Sequence, residues 1–203
     1  MQLTGDAPAA QKVRQLALVV SHVLSPVALA TLLLLSTPLR RAQVIWSDAL
    51  VAALFTTIIP WLVLLAAKLR GMVTDMHVTQ RRQRHRLYAL TAGSILGGLL
   101  LLQVMNAGAA MFREVLAILL GLLVVSVVNL WWKVSVHLSV GTYVALQAAD
   151  GMGGYMPVVV AGIAVLSWAR IRSGEHTASQ VCGGVLVGVA IHYASNLLGT
   201  VLN

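Results

Sequence analysis

Charged residues are scarce in this chain, more so than in soluble proteins. Of its 203 residues only 10% are charged and 59% are hydrophobic, and the mean hydropathy is +0.87. Soluble domains carry about 25% charged residues. Several charge-free runs reach the roughly 20 residues that cross a bilayer as a helix. The composition predicts an all-α, polytopic transmembrane bundle of about six to seven helices, forming one integral membrane domain over residues 1–203.

Cysteine is almost absent. The chain holds one, Cys182, which excludes an internal disulfide. The surrounding segment is apolar, and this favours a small buried packing residue over a reactive thiol.

Acidic residues are also few, and the formal net charge is +8. The basic residues have no soluble domain to present them, so the sequence disfavours a nucleic-acid partner. Contact with the bilayer, and with an anionic or phosphorylated lipid, fits the charge better.

The apolar segments bring three polar clusters to one face of the membrane. Residues 68–86, 133–137 and 170–176 each follow a pair of membrane crossings, so all three return to the side of the N-terminus. The fifth and sixth helices are shorter than a full span, and they either tilt or begin inside a polar cavity. The predicted helices are 16–36, 49–68, 87–105, 112–131, 134–149, 156–169 and 178–201.

The stretch from Ala169 to Gln180 contains residue types that suit phosphate chemistry. Arg170 has a permanent charge and a planar fork that binds phosphate oxygens in pairs. His176 can serve as a nucleophile or a proton carrier. If residues 176–180 are helical, Gln180 lies one turn after His176 and can orient its ring. The alternative is that these charges are only topology signals beside a membrane helix.

This stretch resembles the third signature motif of the type-2 phosphatidate phosphatase and vanadium haloperoxidase superfamily. That motif is Ser-Arg, five residues, His, three residues, Asp. Here Ala169 and Arg170 are followed at the same spacing by His176 and Gln180. The resemblance covers roughly residues 68–185 and implies a phosphatase-like core over about 68–201.

The other two motifs of the superfamily occur in the same order. The second, Pro-Ser-Gly-His, corresponds to residues 134–137, which keep Ser135 and His137. The first is Lys, six residues, then Arg-Pro, and it corresponds to His77, six residues, then Arg84 and a second histidine. Internal spacing holds in all three motifs.

The resemblance implies a role for each matching residue. Arg84 and Arg170 would hold the phosphate oxygens, and Ser135 would add a hydrogen bond. His176 would attack phosphorus to form a phosphohistidine, and His137 would protonate the leaving alkoxide. Phosphoryl transfer needs this combination of fixed donors, a nucleophile and an acid.

Two departures change the expected chemistry. His77 replaces the lysine of the first motif, and Lys133, one turn before His137, could take over its contact with phosphate. Gln180 replaces the aspartate that orients the nucleophile. In serine proteases the corresponding Asp-to-amide change lowers the rate about 10⁴-fold, so Gln180 argues against efficient hydrolysis.

Two carboxylates, Asp75 and Glu175, lie beside these motifs. Ion pairs with neighbouring arginines are the simplest interpretation. No metal or other cofactor is expected, although a diphosphate substrate could bring Mg²⁺ to these carboxylates through its own oxygens.

Three functions remain open at this stage. The first is a membrane phosphatase that acts on a lipid phosphate or an isoprenoid diphosphate. The second is a terpene cyclase or prenyl-transferring enzyme that releases pyrophosphate and stabilises a carbocation on aromatic rings. The third is an inactive lipid-binding homologue. The candidate aromatic residues are Trp131, Trp132, Tyr143, Tyr155 and Trp168.

The basic residues also predict an orientation. Eleven of the fourteen Lys and Arg residues fall on the side of the three motifs, and Arg40, Arg41 and Arg113 fall on the other. Because positive loops stay in the cytoplasm, we expect the N-terminus and the site to face the cytoplasm and Asn203 to lie outside. The expected location is the plasma membrane of a bacterium.

Overall fold

The computed structural model describes residues 6–71, 81–150 and 154–202, without the side chains of 6–8, 81–85 and 201–202. Within these ranges the chain is helical and contains no strand, which confirms the all-α prediction. The elements are α1 (Asp6–Val23), α2 (Pro26–Arg40), α3 (Trp46–Ala53), a π-helical turn (Leu54–Ile58), α4 (Ile59–Leu69), α5 (Arg81–Val104), α6 (Ala109–Val128), α7 (Val136–Ala149), α8 (Met156–Arg172) and α9 (Ala178–Leu202).

Five segments of the described chain are long and apolar enough to cross a bilayer: Ala9–Arg40, Trp46–Leu69, Arg86–Val104, Ala109–Val128 and Ala178–Thr200. Two further helices, α7 with 14 residues and α8 with 17, are the short ones that the sequence predicts. The chain is therefore a membrane protein.

The first crossing is longer than predicted and is interrupted. Helix α1 begins at Asp6, so residues 6–15 are helical rather than a polar tail. The helix stops at Val23 and restarts at Pro26, whose missing N–H suits the first helical position. The Ser25 hydroxyl accepts a hydrogen bond from the backbone N–H of Ala28 at 3.3 Å and caps the new helix.

The second crossing contains the π-helical turn between α3 and α4. Pro60 is the second residue of α4, which follows this turn. A proline cannot donate to the carbonyl four residues earlier, and its ring clashes with that carbonyl in a regular helix. The wider turn accommodates Pro60, so the crossing continues to Leu69 as predicted.

Helices α7 and α9 approach very closely. A Cβ at Gly184 would lie 2.6 Å from the carbonyl oxygen of Ser135, and one at Gly188 would lie 2.5 Å from that of Ser139. Only glycine permits this distance. The two glycines therefore set the contact between the second and third motifs.

A buried polar network crosses the bundle between α6, α7 and α9. The Tyr143 hydroxyl donates to Glu114 Oε2 at 2.6 Å, and the Gln147 amide donates to Tyr143 Oη and to Ser195 Oγ, both at 3.2 Å. Arg40 Nη2 lies 3.9 Å from Glu114 Oε1. The network thus connects α2, α6, α7 and α9 at a distance from the motifs.

The two ends of the bundle are distinct. At the motif end, Arg14 Nε of α1 donates to the carbonyl oxygen of Ser173 at 3.5 Å. At the far end, Arg41 after α2 pairs with Asp150 after α7 at 3.2 Å. Counting α1 with α2 and α3 with α4 as one each, the described chain has seven helical segments, and five of them are long and apolar enough to cross a bilayer. The described residues of the second and third motifs lie at the same end of the bundle.

The prediction that Cys182 is a buried packing residue is wrong. Its side chain is exposed on α9, because its neighbours Val181 and Gly184 take the positions that face the bundle. An apolar surface is normal for a membrane helix, so apolar neighbours do not imply burial here.

The close contact predicts the effect of a single methyl group. Gly184→Ala should lower the free energy of unfolding of the purified protein in detergent by about 1–3 kcal/mol, the usual cost of overpacking. The thermal unfolding midpoint should fall accordingly. Gly162→Ala is the control, since a Cβ at Gly162 meets nothing within 4 Å. Equal unfolding midpoints for the two variants would contradict the close contact.

Candidate active site

The third motif forms a tight loop between α8 and α9. Helix α8 ends at Arg172, and Gly174 follows with a φ of 78°, a left-handed conformation that glycine adopts without strain. The chain then folds back, and the backbone N–H of His176 donates to the carbonyl oxygen of Arg170 at 3.2 Å. The loop thereby places His176 beside the end of α8.

Gln180 orients the ring of His176. Its Oε1 lies 3.0 Å from His176 Nδ1 and also accepts the backbone N–H of Thr177 at 3.3 Å. Because the same oxygen accepts both bonds, Nδ1 carries the proton and Nε2 keeps its lone pair. Gln180 therefore fixes the orientation and the tautomer of the His176 ring.

The pKa of His176 is lowered to about 4. Burial is the largest cause, and the positive charges of Arg170 and Lys133 act in the same direction. The ring is thus neutral near pH 7. Since the unfolded chain binds this proton more readily than the folded one, the histidine's contribution to stability declines as pH falls from about 6.5 to 4.

Arg170 presents unused donors at the site. The residue is only 2% exposed, and its Nη2 lies 3.7 Å from Glu175 Oε2. Its Nε and Nη1 have no hydrogen-bond partner in the described part of the chain. Buried donors normally find an acceptor, so these two N–H groups are available to an acceptor that the described part of the chain does not supply.

Ser135 adds a third buried donor to the two of Arg170. Its backbone N–H donates to the carbonyl oxygen of Gln180 at 3.2 Å, which ties the start of α7 to the first turn of α9. Its hydroxyl is buried and, among the described residues, has no partner. The second and third motifs are therefore in direct contact.

Lys133 and Glu175 complete the described cluster. Lys133 Nζ donates to the backbone carbonyl of Glu175 at 2.9 Å, which uses one of its three N–H groups. The Glu175 carboxylate pairs with Arg170, as the ion-pair interpretation expects. No group of three or more potential metal ligands occurs in the ranges that the structure covers.

The remaining predicted residues are only partly placed. His137 lies half-buried in the first turn of α7, two residues after Ser135. Arg84 lies in the first turn of α5, with its side chain outside the description. His77 and Asp75 fall outside the described residues. The first motif therefore stays a prediction.

Arg14 is a site neighbour that sequence reasoning missed. Helix α1 packs along α8, and the Arg14 side chain reaches the Ser173 carbonyl beside the third motif. A basic residue before an apolar run is usually interpreted as a topology signal. Its contact depends on the packing of α1, which no local pattern reveals.

Four of the five candidate aromatic residues are exposed. Their exposed fractions are 36% or more, whereas Tyr143 is 4% exposed. Exposed aromatics at helix ends are typical of membrane interfaces. The exposed residues are Trp131, Trp132, Tyr155 and Trp168.

No family model, curated protein or solved structure matches this chain. The resemblance to the superfamily therefore stays a prediction from motif spacing.

The orientation of His176 predicts its titration. In ¹⁵N-histidine NMR of the protein in nanodiscs, His176 should titrate near pH 4. Gln180→Glu should raise this midpoint, because a carboxylate of the same reach favours the imidazolium. The resonance that disappears in His176→Ala gives the assignment. A midpoint near 6.5 in the unaltered protein, or no rise in the variant, would contradict the geometry.

Proposed function

We propose that this protein is a membrane phosphohydrolase that acts on a lipid phosphate or an isoprenoid diphosphate through a phosphohistidine. One observation carries the proposal. The buried donors Arg170 Nε, Arg170 Nη1 and Ser135 Oγ lack partners within the described chain, and they belong to the same cluster as the oriented, neutral ring of His176. A tetrahedral phosphate offers these donors the oxygens they need.

The first chemical step would use His176 Nε2 as the nucleophile. Its lone pair attacks phosphorus, the new N–P bond forms, and the bond from phosphorus to the leaving oxygen breaks. His137, as an imidazolium, transfers its proton to that oxygen. The leaving group is therefore an alcohol when the substrate is a monophosphate ester. It is a prenyl monophosphate when the substrate is a prenyl diphosphate.

The second step would hydrolyse the phosphohistidine. Neutral His137 takes a proton from water, the water oxygen attacks phosphorus, and the N–P bond breaks to release inorganic phosphate. Arg170 and Ser135 hold the phosphoryl oxygens in both steps. Lys133 adds a positive charge to the site, since its ammonium group contacts the Glu175 carbonyl.

Gln180 determines the rate that this site can reach. It fixes the ring tautomer as an aspartate would, but its neutral amide does not stabilise the positive charge that His176 gains on attack. We therefore expect slow turnover, which Gln180→Glu should accelerate.

The proposed orientation puts the site in the cytoplasm of a bacterial cell, at the plasma membrane. The motif end carries most of the basic residues, and the far end carries Arg40, Arg41 and Arg113. This sidedness suits a substrate that is made in the cytoplasm.

The nucleophile and the phosphate donor can be tested separately. His176→Ala should abolish phosphate release from farnesyl monophosphate and diphosphate. Arg170→Lys should lower the rate of phosphate release by about 10²–10³-fold, because the point charge of a lysine cannot replace the buried planar guanidinium. The matched control is Arg172→Lys, since Arg172 is exposed two residues further on.

Product identification distinguishes the alternatives. Pyrophosphate with a hydrocarbon or prenylated product would replace the hydrolase with a cyclase or prenyl-transferring enzyme. Binding of the substrate without any product would indicate a lipid-binding protein. Normal phosphate release by His176→Ala would falsify the phosphohistidine mechanism.

The orientation has its own test. In a Cys182→Ala background, Arg70→Cys marks the motif end and Met105→Cys marks the far end; both positions are exposed. An impermeant thiol reagent on intact cells should label the Met105→Cys protein alone. Labelling of the Arg70→Cys protein alone would reverse the orientation.

A further inference from the structure

An apolar cavity of 230 Å³ lies in the half of the bundle that faces the motifs. Helix α7 supplies one wall with a continuous stripe of side chains, Val136, Ser139, Val140, Tyr143 and Val144. These positions repeat every three or four residues, so they share one helix face. Side chains from α2, α4, α5, α6 and α9 form the other walls.

The cavity reaches the first turn of α7, next to two candidate site residues. Val136 lines the cavity, and it stands between Ser135 and His137 in the first turn of that helix. The stripe from Val136 to Val144 extends about 12 Å along the helix axis at 1.5 Å per residue. A hydrocarbon chain attached to a phosphate at Ser135 would therefore have to pass Val136 to reach the cavity.

The buried polar network forms the floor of the cavity. Tyr143 and Ile191 line its deep end. The next residues on these helix faces, Gln147 and Ser195, are hydrogen-bonded to each other, and Glu114 accepts from the Tyr143 hydroxyl. An apolar chain cannot extend further without breaking these buried hydrogen bonds, which would leave their polar groups unsatisfied.

The size of the cavity limits its occupant. At about 30 Å³ for each group the size of a water molecule, the cavity takes on the order of eight such groups. A methylene group is of similar size. This is enough for one short isoprenoid or acyl chain and too little for the two chains of a phosphatidate.

We propose that the cavity selects substrates with a single hydrocarbon chain, and that the Tyr143–Glu114–Gln147 network sets the upper limit of chain length. The proposal rests on the proposed function, because it assumes that the phosphate of the same molecule binds at Ser135 and Arg170. Tyr143 is then a specificity-determining residue at the chain's far end, distant from the reacting atoms.

The experiment compares phosphate release from geranyl, farnesyl and geranylgeranyl monophosphates and from dioleoyl phosphatidate. The unaltered protein should prefer a single-chain substrate by at least about tenfold in kcat/KM, as pocket fit allows. Gly121→Leu narrows the cavity from α6, where a Cβ would lie 3.7 Å from Ile191, an ordinary contact. It should lower kcat/KM for the geranylgeranyl substrate by about tenfold and spare the geranyl one.

A second cavity variant and a control variant are measured beside Gly121→Leu. Val140→Phe fills the cavity from α7 and should have the same effect. Leu123→Phe is the control on α6, because Leu123 is 48% exposed and does not line the cavity. Equal use of phosphatidate, or equal chain preference in Gly121→Leu and Leu123→Phe, would overturn the proposal.

Binding of tritiated farnesol separates this proposal from the proposed function, because the alcohol has no phosphate. If no substrate is hydrolysed but farnesol binds the unaltered protein and not Gly121→Leu, the phosphohydrolase fails and the chain site stands. If phosphate is released without any dependence on chain length or number, the chain site fails and the phosphohydrolase stands.

Discussion

The contact between α7 and α9 is the constraint on which the site depends. Gly184 and Gly188 let the backbones approach until a Cβ would collide with the Ser135 and Ser139 carbonyls. At that distance the Ser135 N–H reaches the Gln180 carbonyl, so the two helices start in register. In a bilayer apolar surface gains little from helix association, and close packing of small residues supplies the attraction. The geometry of two motifs thus follows from two glycines that carry no chemistry.

Positive groups are buried beside the starts of α7 and α9, and their removal from water costs free energy. Interactions within the described chain offset this cost only in part. Arg170 is buried with one weak ion pair to Glu175 at 3.7 Å, and His176 avoids the penalty by staying neutral. A guanidinium cannot lose its proton in the same way. Its unused donors therefore hold free energy that an anion can recover on binding. In the proposed phosphohydrolase, that anion is the phosphate of the substrate.

Much of the fold could be predicted from the sequence, because hydropathy and length decide where membrane helices lie. The predicted segment 178–201 and the observed Ala178–Leu202 agree almost residue for residue. The break before Pro26 and the π-helical turn before Pro60 were beyond prediction, since a proline can be accommodated by a kink, a break or a wider turn. The contact of Gln180 with His176 was predicted for a helix over residues 176–180, but His176 precedes α9, and Gln180 reaches it from the first turn of that helix. The contact of Arg14 with Ser173 was not predicted, because it depends on how α1 packs against α8. Cys182 was misjudged because burial cannot be inferred from apolarity when the solvent is lipid.

Helix α7 explains how a short element can organise most of the interior. One side packs through Leu138 against Leu166 of α8 and Val181 of α9, and the opposite side lines the apolar cavity. Ser135 directly precedes the helix, His137 lies in its first turn, and its last turn joins the polar network through Gln147. Because α7 has only 14 residues, these polar ends lie roughly 20 Å apart at 1.5 Å per residue, well inside the thickness of a bilayer. A longer helix would bring both ends to the membrane surface. The shortness of α7 therefore keeps the cavity between two polar layers, one that offers donors for an anion and one that is already satisfied.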